Sequence, residues 1–352
     1  MEIIFTSSDV YLMDCFAQVS GENLDLAKAE IEALARLCPT DMVISWFGRI
    51  AKLQTPVSPV EFLLDRAALV QRAGVLLGEV IHDESITEMI SDDIWRANVL
   101  PADKFSVRTM CIGRGYDSRK RTEIEKDLGA HIQNITGAEV ELRAPKTQIL
   151  VIIVPKRILV CKSSESRLRR LLRTREPGKK PFFHPTMMNS TLARVMCNLA
   201  GVRPGNTVLD PFCGGGGILC EASHIGAVVV GSDLNWRLLA GAKRNLSEIS
   251  AQYSVLQADA RYLPIQTVNH IVTDPPYGRS SSTRGTESKK LIDSLLRRVP
   301  SLLQPGEENL CVCGSTEMGL PEMILDGGFT LGRDIRVSVH RGLVREIVTA
   351  NL

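Results

Sequence analysis

The 352-residue sequence predicts an α/β protein whose second half is a doubly wound, mostly parallel sheet. Three observations carry that prediction. From Pro181 onward, strand patterns at Thr207–Asp210, Val228–Asp233, Ser254–Gln257, Val268–Thr273 and Asn309–Cys313 alternate with helical patterns at Ile218–His224, Asn235–Ile249 and Glu287–Val299. Such alternation marks βαβ units. Four glycines, Gly214–Gly217, separate the first strand from the first helix. Phe329–His340 and Leu343–Ala350 then read as two strands joined at Arg341-Gly342, so a seven-stranded sheet should end in an antiparallel hairpin.

Upstream, the first segment (residues 1–60) reads as a small mixed α/β domain. A helix is expected over Glu22–Leu37, with strand-like runs at Tyr11–Val19 and Met42–Leu53. A second domain spans 61–161. It opens with a helical pattern from Val60 to Leu77. A strand follows at Phe105–Arg108, then a basic turn at Gly113-Arg114-Gly115 and a helix over Ser118–Thr136. Strands at Gln148–Val154 and Arg157–Cys161 close it. Residues 162–180 read as a basic linker, and 181–352 as the doubly wound domain.

Composition narrows the class of function. No apolar run is long enough to span a membrane, and Met1-Glu2-Ile3-Ile4-Phe5 has no signal-peptide pattern, so the chain is expected in the cytoplasm. The nine cysteines are scattered without a C-x-x-C pair, which argues against a zinc site or a disulfide framework. Residues 1–103 hold 17 acids against 7 bases, a balance of −10, so with a net +2 the remaining 249 residues carry +12. Eight bases against two acids fall within 162–180, including Arg169, Arg170 and Arg173. That density attracts a polyanion, although a solvated linker would carry the same charge.

Asp210-Pro211-Phe212-Cys213-Gly214-Gly215-Gly216-Gly217 follows a strand and opens a helix. Glycines let the backbone turn sharply and approach a ligand, and the helix start offers unpaired N–H groups. A phosphate, a dinucleotide or an adenosyl amino acid would all fit such a turn. No Gly-Lys-Ser/Thr follows, so a P-loop is disfavoured. Asp233-Leu234 ends the next strand, where a carboxylate can accept from both ribose hydroxyls. Asp259-Ala260 follows the third strand, where an acid can take an adenine amine. Each acid alone would pass for a helix cap or turn residue, but three at successive strand ends would not.

The fourth strand ends in Asp274-Pro275-Pro276-Tyr277. A base's exocyclic amine is a poor nucleophile because its lone pair is delocalised into the ring. The Asp274 carboxylate and Pro275 carbonyl can accept its N–H bonds and localise that pair. The prolines stiffen the loop, and Tyr277 offers a stacking face for a flipped base. This loop favours a methyl-transfer site over a dinucleotide site.

These motifs resemble the Rossmann-like class I methyltransferases that carry an Asn/Asp-Pro-Pro-Tyr loop. Phe105-Ser106-Val107-Arg108, Gly129, Pro145 and Ile149–Val154 resemble a THUMP RNA-binding domain. Ser20-Gly21-Glu22-Asn23, Leu26-Ala27 and Glu30 resemble the ferredoxin-like domain that precedes it. Pro181-Phe182-Phe183-His184-Pro185, Leu192-Ala193-Arg194 and Asn198-Leu199-Ala200 resemble the segment before the cofactor loop. Together they are most similar to the archaeal and eukaryotic tRNA (guanine-10) N2-methyltransferase family. The resemblance implies S-adenosylmethionine as cofactor, tRNA as substrate, and one or two methyl groups placed on guanine N2. It assigns the cofactor to His184, Pro185, Asp210, Pro211, Phe212, Cys213, Gly214, Gly216, Asp233, Leu234, Asp259, Ala260 and Asp274. Asp274, Pro275 and Tyr277 would hold the guanine, and Arg108, Arg114, Arg169, Arg170 and Arg173 the RNA. In some organisms it also implies a small zinc-binding activator, with no metal held by this chain.

Two departures stand out. The family favours a small hydroxyl residue at Gly215 and Gly217, and Gly-Ser where Thr186-Met187-Met188 stands here. Other readings compete. DNA adenine and protein glutamine methyltransferases usually begin the four-residue loop with Asn, and tRNA sulfur-transferases need a Ser-Gly-Gly-x-Asp-Ser loop that this chain lacks. Methylation of another guanosine or adenosine amine in tRNA or rRNA, or silent RNA binding, would use many of the same residues.

Overall fold

The computed structural model describes residues 12–81, 85–113, 117–249, 252–276, 285–304, 309–340 and 343–352. They form two compact units: Met1–Gly21, Cys38–Asp65 and Val70–Arg167 in one, and Glu22–Leu37, Arg66–Leu69 and Leu168–Leu352 in the other.

In the first unit one sheet takes up strands from both segments that the sequence separates near residue 60. Its strands are β1 (Met13–Val19), β2 (Val43–Phe47), β3 (Ile50–Thr55), β4 (Val70–Ile81), β5 (Lys104–Cys111), β6 (Glu139–Val140), β7 (Thr147–Val154) and β8 (Arg157–Glu165). Their order is β2-β3-β1-β4-β8-β7-β5-β6. The continuous apolar run of β7 is explained by burial on both faces. Ile149, Val151 and Ile153 pack with Trp95, Phe105, Leu128 and Ile132. Leu150, Ile152 and Val154 face the other way, onto Phe16, Ile50 and Leu159.

One expectation is refined here and one fails. The run Met42–Leu53 is a hairpin of β2 and β3 that turns at Gly48, φ +58°. The helical pattern over Val60–Leu77 is a short helix, Val60–Arg66, followed by β4. Bulges explain the misreading. Register shifts on β4 against β1, past Gln71, and against β8, past Leu77, each insert one residue. Buried residues therefore recur at Val70, Ala73, Leu77 and Val80, a spacing of three and four that imitates a helix.

The second unit holds the sheet β11-β10-β9-β12-β13-β15-β14. Its strands are β9 (Thr207–Asp210), β10 (Val228–Asp233), β11 (Tyr253–Gln257), β12 (His270–Thr273), β13 (Leu310–Ser315), β14 (Thr330–His340) and β15 (Leu343–Asn351). The first five are parallel, and β15 runs antiparallel to both neighbours, as expected. The Arg341-Gly342 turn lies outside the described residues. Chain order reverses between β9 and β12, the switch point where α/β sheets open a crevice at their carboxyl ends.

Helices α1 (Leu24–Ala35), α2 (Val60–Arg66), α3 (Ile86–Met89), α4 (Asp92–Asn98), α5 (Ser118–Thr136), α6 (Arg167–Thr174), α7 (Ser190–Leu199), α8 (Gly217–Ile225), α9 (Trp236–Ser247), α10 (Gly285–Leu302) and α11 (Leu320–Asp326) complete the chain. Helix α1 belongs to the second unit although the sequence places it with residues 1–60. Buried Glu30 on α1 accepts N–H bonds from Ala68 and Leu69, both at 2.8 Å, and from Asn198 Nδ2 at 2.7 Å. Arg66 Nε donates to Asn198 Oδ1 at 2.6 Å. A carboxylate taken out of water needs such donors, so this network anchors α1 and residues 66–69 to α7. The stretch 162–180 is not an open linker. It contains the end of β8, α6 and a 3-10 turn at Pro177–Lys179, and Leu168 and Leu172 are buried. Helix α7 is buried nearly all round, its polar residues Ser190, Arg194 and Asn198 included.

Candidate active site

Two adjacent strand ends carry the site. Parallel pairing sets Ile271 beside Leu209, which brings Thr273 at the end of β12 to Asp210 at the end of β9. Thr273 Oγ1 donates to Asp210 Oδ1 at 2.7 Å, and the Phe212 N–H reaches the same oxygen at 3.1 Å. Both Asp210 and Thr273 are buried. Burial pushes the Asp210 carboxyl up to about 7 against these donors, and the charges of Asp274 and Asp233 add to the rise. Between the ordinary value of 3.8 and about 7 the native state therefore holds a proton that the unfolded chain has released. Its contribution to stability is complete below that window and is lost as pH rises through it. Asp210→Asn should remove from the melting curves a slope of at most about 1.4 kcal/mol per pH unit. An identical pH dependence of Tm in wild type and variant, measured from pH 4.5 to 8, would contradict this.

The glycine loop is shaped by its neighbours. Gly214 and Gly216 have φ +50° and +80°, a region that favours glycine, and Gly216 caps α8. Gly214 N–H donates to Asp233 Oδ2 at 3.0 Å, and Asn235 N–H donates to Asp233 Oδ1 at 2.8 Å. Beside that carboxylate, Leu234 is largely exposed. Pro211 is tied to β10 through Ser232 Oγ at 3.2 Å, and Cys213 is buried under the loop. Asp259 and buried Ala260 lie one strand further along, and the Arg261 side chain holds both Asp259 carboxylate oxygens.

The segment after Pro181 packs on this loop. His184 Nδ1 bonds Thr186 Oγ1 at 2.7 Å, and the His184 carbonyl accepts from Met187 N–H at 3.0 Å. A Cβ at Gly215 would lie 2.6 Å from Met187 Sδ, and one at Gly217 would lie 3.2 Å from the Met188 carbonyl oxygen. The two departures from the family pattern are therefore in contact. The Met187 side chain fills the room that a hydroxyl residue at 215 would need.

Asp274 follows β12 directly, and Arg345 Nη1 on β15 stands 3.9 Å from Asp274 Oδ2. Pro275 and Pro276 follow, and Tyr277 lies outside the described residues, as does Arg114. Arg108, in the first unit, spends its guanidinium on the Leu142 carbonyl at 2.9 Å and on Glu125 at 3.8 Å. Arg170 and Arg173 are exposed on α6, and Arg169 is partly buried there. Thr273, Asn245 and Arg345 were missed by sequence reasoning, and Met187 was noted only as a departure from the family pattern. Asn245 alone carried a signal, since it lies on the apolar stripe of Leu239, Ala242 and Leu246.

This arrangement fits an adenosyl amino acid. A Cβ at Gly214 would meet nothing within 4 Å, so the crest of the loop is open, with a carboxylate and an apolar side chain beside it. Residues 177–346 match a family model described as an RMKL-like methyltransferase domain. The solved structure of TrmN from Thermus thermophilus aligns with a TM-score of 0.56 at 22% identity, covering 96% of this chain and 100% of that one. SMU.472 complexed with SAH aligns at 0.55 with 12% identity, covering 96% and 97%. Fold and site together define a class I S-adenosylmethionine-dependent methyltransferase.

Two archaeal proteins narrow the class. The tRNA (guanine(10)-N2)-dimethyltransferase of Methanothermobacter thermautotrophicus is 32% identical, over 95% of this chain and 98% of its own. That of Methanocaldococcus jannaschii is 35% identical, over 94% and 97%. The chain belongs to the tRNA (guanine(10)-N2)-dimethyltransferase family.

Proposed function

We propose that this protein transfers methyl groups from S-adenosylmethionine to the N2 amine of guanosine 10 in tRNA, in the cytoplasm. One observation carries the reading beyond family membership. The Thr273–Asp210 bond fastens the start of the Asp274-Pro275-Pro276 loop to the start of the glycine loop, which supports an amine site and a cofactor site in one crevice. Asp210, Gly214, Gly216, Asp233, Leu234 and the His184-Pro185 segment would hold the cofactor, which supplies an electrophilic methyl group when bound. Asp274 and the Pro275 carbonyl would accept the guanine N–H bonds, Tyr277 would stack on the base, and Asp274 would stabilise the positive charge that develops on N2. Relatives that match the chain end to end are named dimethyltransferases, which supports a second transfer to the same nitrogen.

RNA capture is assigned to the eight-stranded unit, read as THUMP-like, and to α6. Exposure of Arg170 and Arg173 beside Arg169 supports the latter. Reversing all three charges should weaken tRNA binding and reduce the magnitude of its salt slope by about one unit for each phosphate interaction removed. An unchanged slope would remove α6 from the interface. A small zinc-binding activator is the proposed protein partner. Among the described residues, no helix is long and apolar enough to cross a membrane.

The test is mass-spectrometric nucleoside analysis after reaction with two tRNA transcripts, one with guanosine at position 10 and one with inosine. N2-methylated guanosine should appear in the first alone, because inosine lacks the amine. Equal methylation of both would reject guanosine 10 as the target, and the modified nucleoside would then identify the amine used.

A further inference from the structure

Helix α9 turns a narrow face of Gly241, Ala242 and Asn245 toward the loops of the site. A Cβ at Gly241 would lie 2.1 Å from Phe182 Cδ1, so the Phe182 ring packs directly on the helix backbone. The Ala242 Cβ lies 3.3 Å from where a Cβ at Gly216 would stand. Asn245, only 3% exposed, uses its whole amide. Its Oδ1 accepts from Phe182 N–H at 2.8 Å, and its Nδ2 donates to the Phe182 carbonyl at 3.0 Å and to the Gly215 carbonyl at 2.9 Å.

From this geometry we infer that Asn245 is the positioning residue that sets the glycine loop and the Phe182–Pro185 segment at the spacing the cofactor requires. The inference rests on reading those two segments as the S-adenosylmethionine site. The reciprocal pair with Phe182 fixes the rotation of one segment, as a sheet partner would. The third bond reaches the middle of the other segment. Met187, two residues beyond Pro185, packs on Gly215 as well, so the chain that carries the Phe182–Pro185 segment meets the glycine loop at a second point. Aspartate could not donate to either carbonyl, and alanine would leave all three backbone groups without their partner.

Calorimetry of S-adenosylmethionine binding tests this without any methyl transfer, alongside melting curves and tRNA affinity. Asn245→Ala should raise the cofactor Kd at least about tenfold, the loss expected when buried hydrogen bonds go unmade. It should raise KM for the cofactor by more than it lowers kcat, and leave tRNA affinity intact. Asn245→Asp should bind more weakly still, because a carboxylate would face two carbonyl oxygens. Gly241→Ala keeps Asn245 itself, but its Cβ would fall 2.1 Å from Phe182 Cδ1, so Phe182 must move off the helix and away from the amide that holds its backbone. It should weaken cofactor binding in the same direction, and it serves if the Asn245 variants do not fold. A folded Asn245→Ala or Gly241→Ala protein that binds the cofactor like wild type would overturn the inference and leave the methyltransferase reading standing. Wild-type protein that binds no S-adenosylmethionine would overturn both.

Discussion

Asp274→Ala should lose on the order of a hundredfold or more in single-turnover methyl transfer to tRNA, comparable to the loss of an oxyanion-hole donor. Cofactor affinity should change little. The N2 nitrogen becomes tetrahedral and positive as the methyl group arrives, so an anionic acceptor stabilises the transition state more than the ground state. Arg345 sharpens the effect. Its guanidinium stands 3.9 Å from the Asp274 carboxylate, and removing the acid would leave a cation facing the charge that develops on N2. Asp274→Asn keeps an acceptor oxygen without the charge and should fall between wild type and alanine. Full rate in Asp274→Ala would show that amine activation lies elsewhere.

Asp233→Ala should weaken S-adenosylmethionine binding by about one to two orders of magnitude for each ribose bond lost, since a charge-assisted bond is worth about 1.5–3 kcal/mol. The structure gives this carboxylate two tasks. It is the proposed acceptor for the ribose hydroxyls, and it already holds Gly214 N–H at 3.0 Å and Asn235 N–H at 2.8 Å. Its removal therefore takes away a ligand partner and frees the crest of the loop. Asp233→Asn retains one acceptor and should bind better than alanine. Calorimetry showing wild-type affinity in Asp233→Ala would exclude this residue from the cofactor site.

Much of the site was legible in sequence because chain order alone places it. In a parallel sheet every strand delivers its last residue to the same edge, so Asp210, Asp233 and Asp274 share that edge whatever their side chains do. Glycines at 214 and 216 were legible for a similar reason: their backbone conformations exclude most other residues. The terminal hairpin followed from two apolar runs around one short turn. Strand β4 was not legible, because its two bulges give an extended chain the burial spacing of a helix.

What sequence determined here is local: the alternation of elements, the positions of the strand-end acids and the conformations only glycine tolerates. What the tertiary structure alone decided is which distant groups meet. Glu30 and Asn198 are 168 residues apart in the chain yet share a hydrogen bond. Thr273 finds Asp210, Arg345 finds Asp274, and Met187 occupies the room beside Gly215. No periodicity or propensity encodes such pairs. Each forms because a polar group leaving water must find a partner, or because a close-packed interior leaves no gap, and only the folded chain shows which partner is within reach.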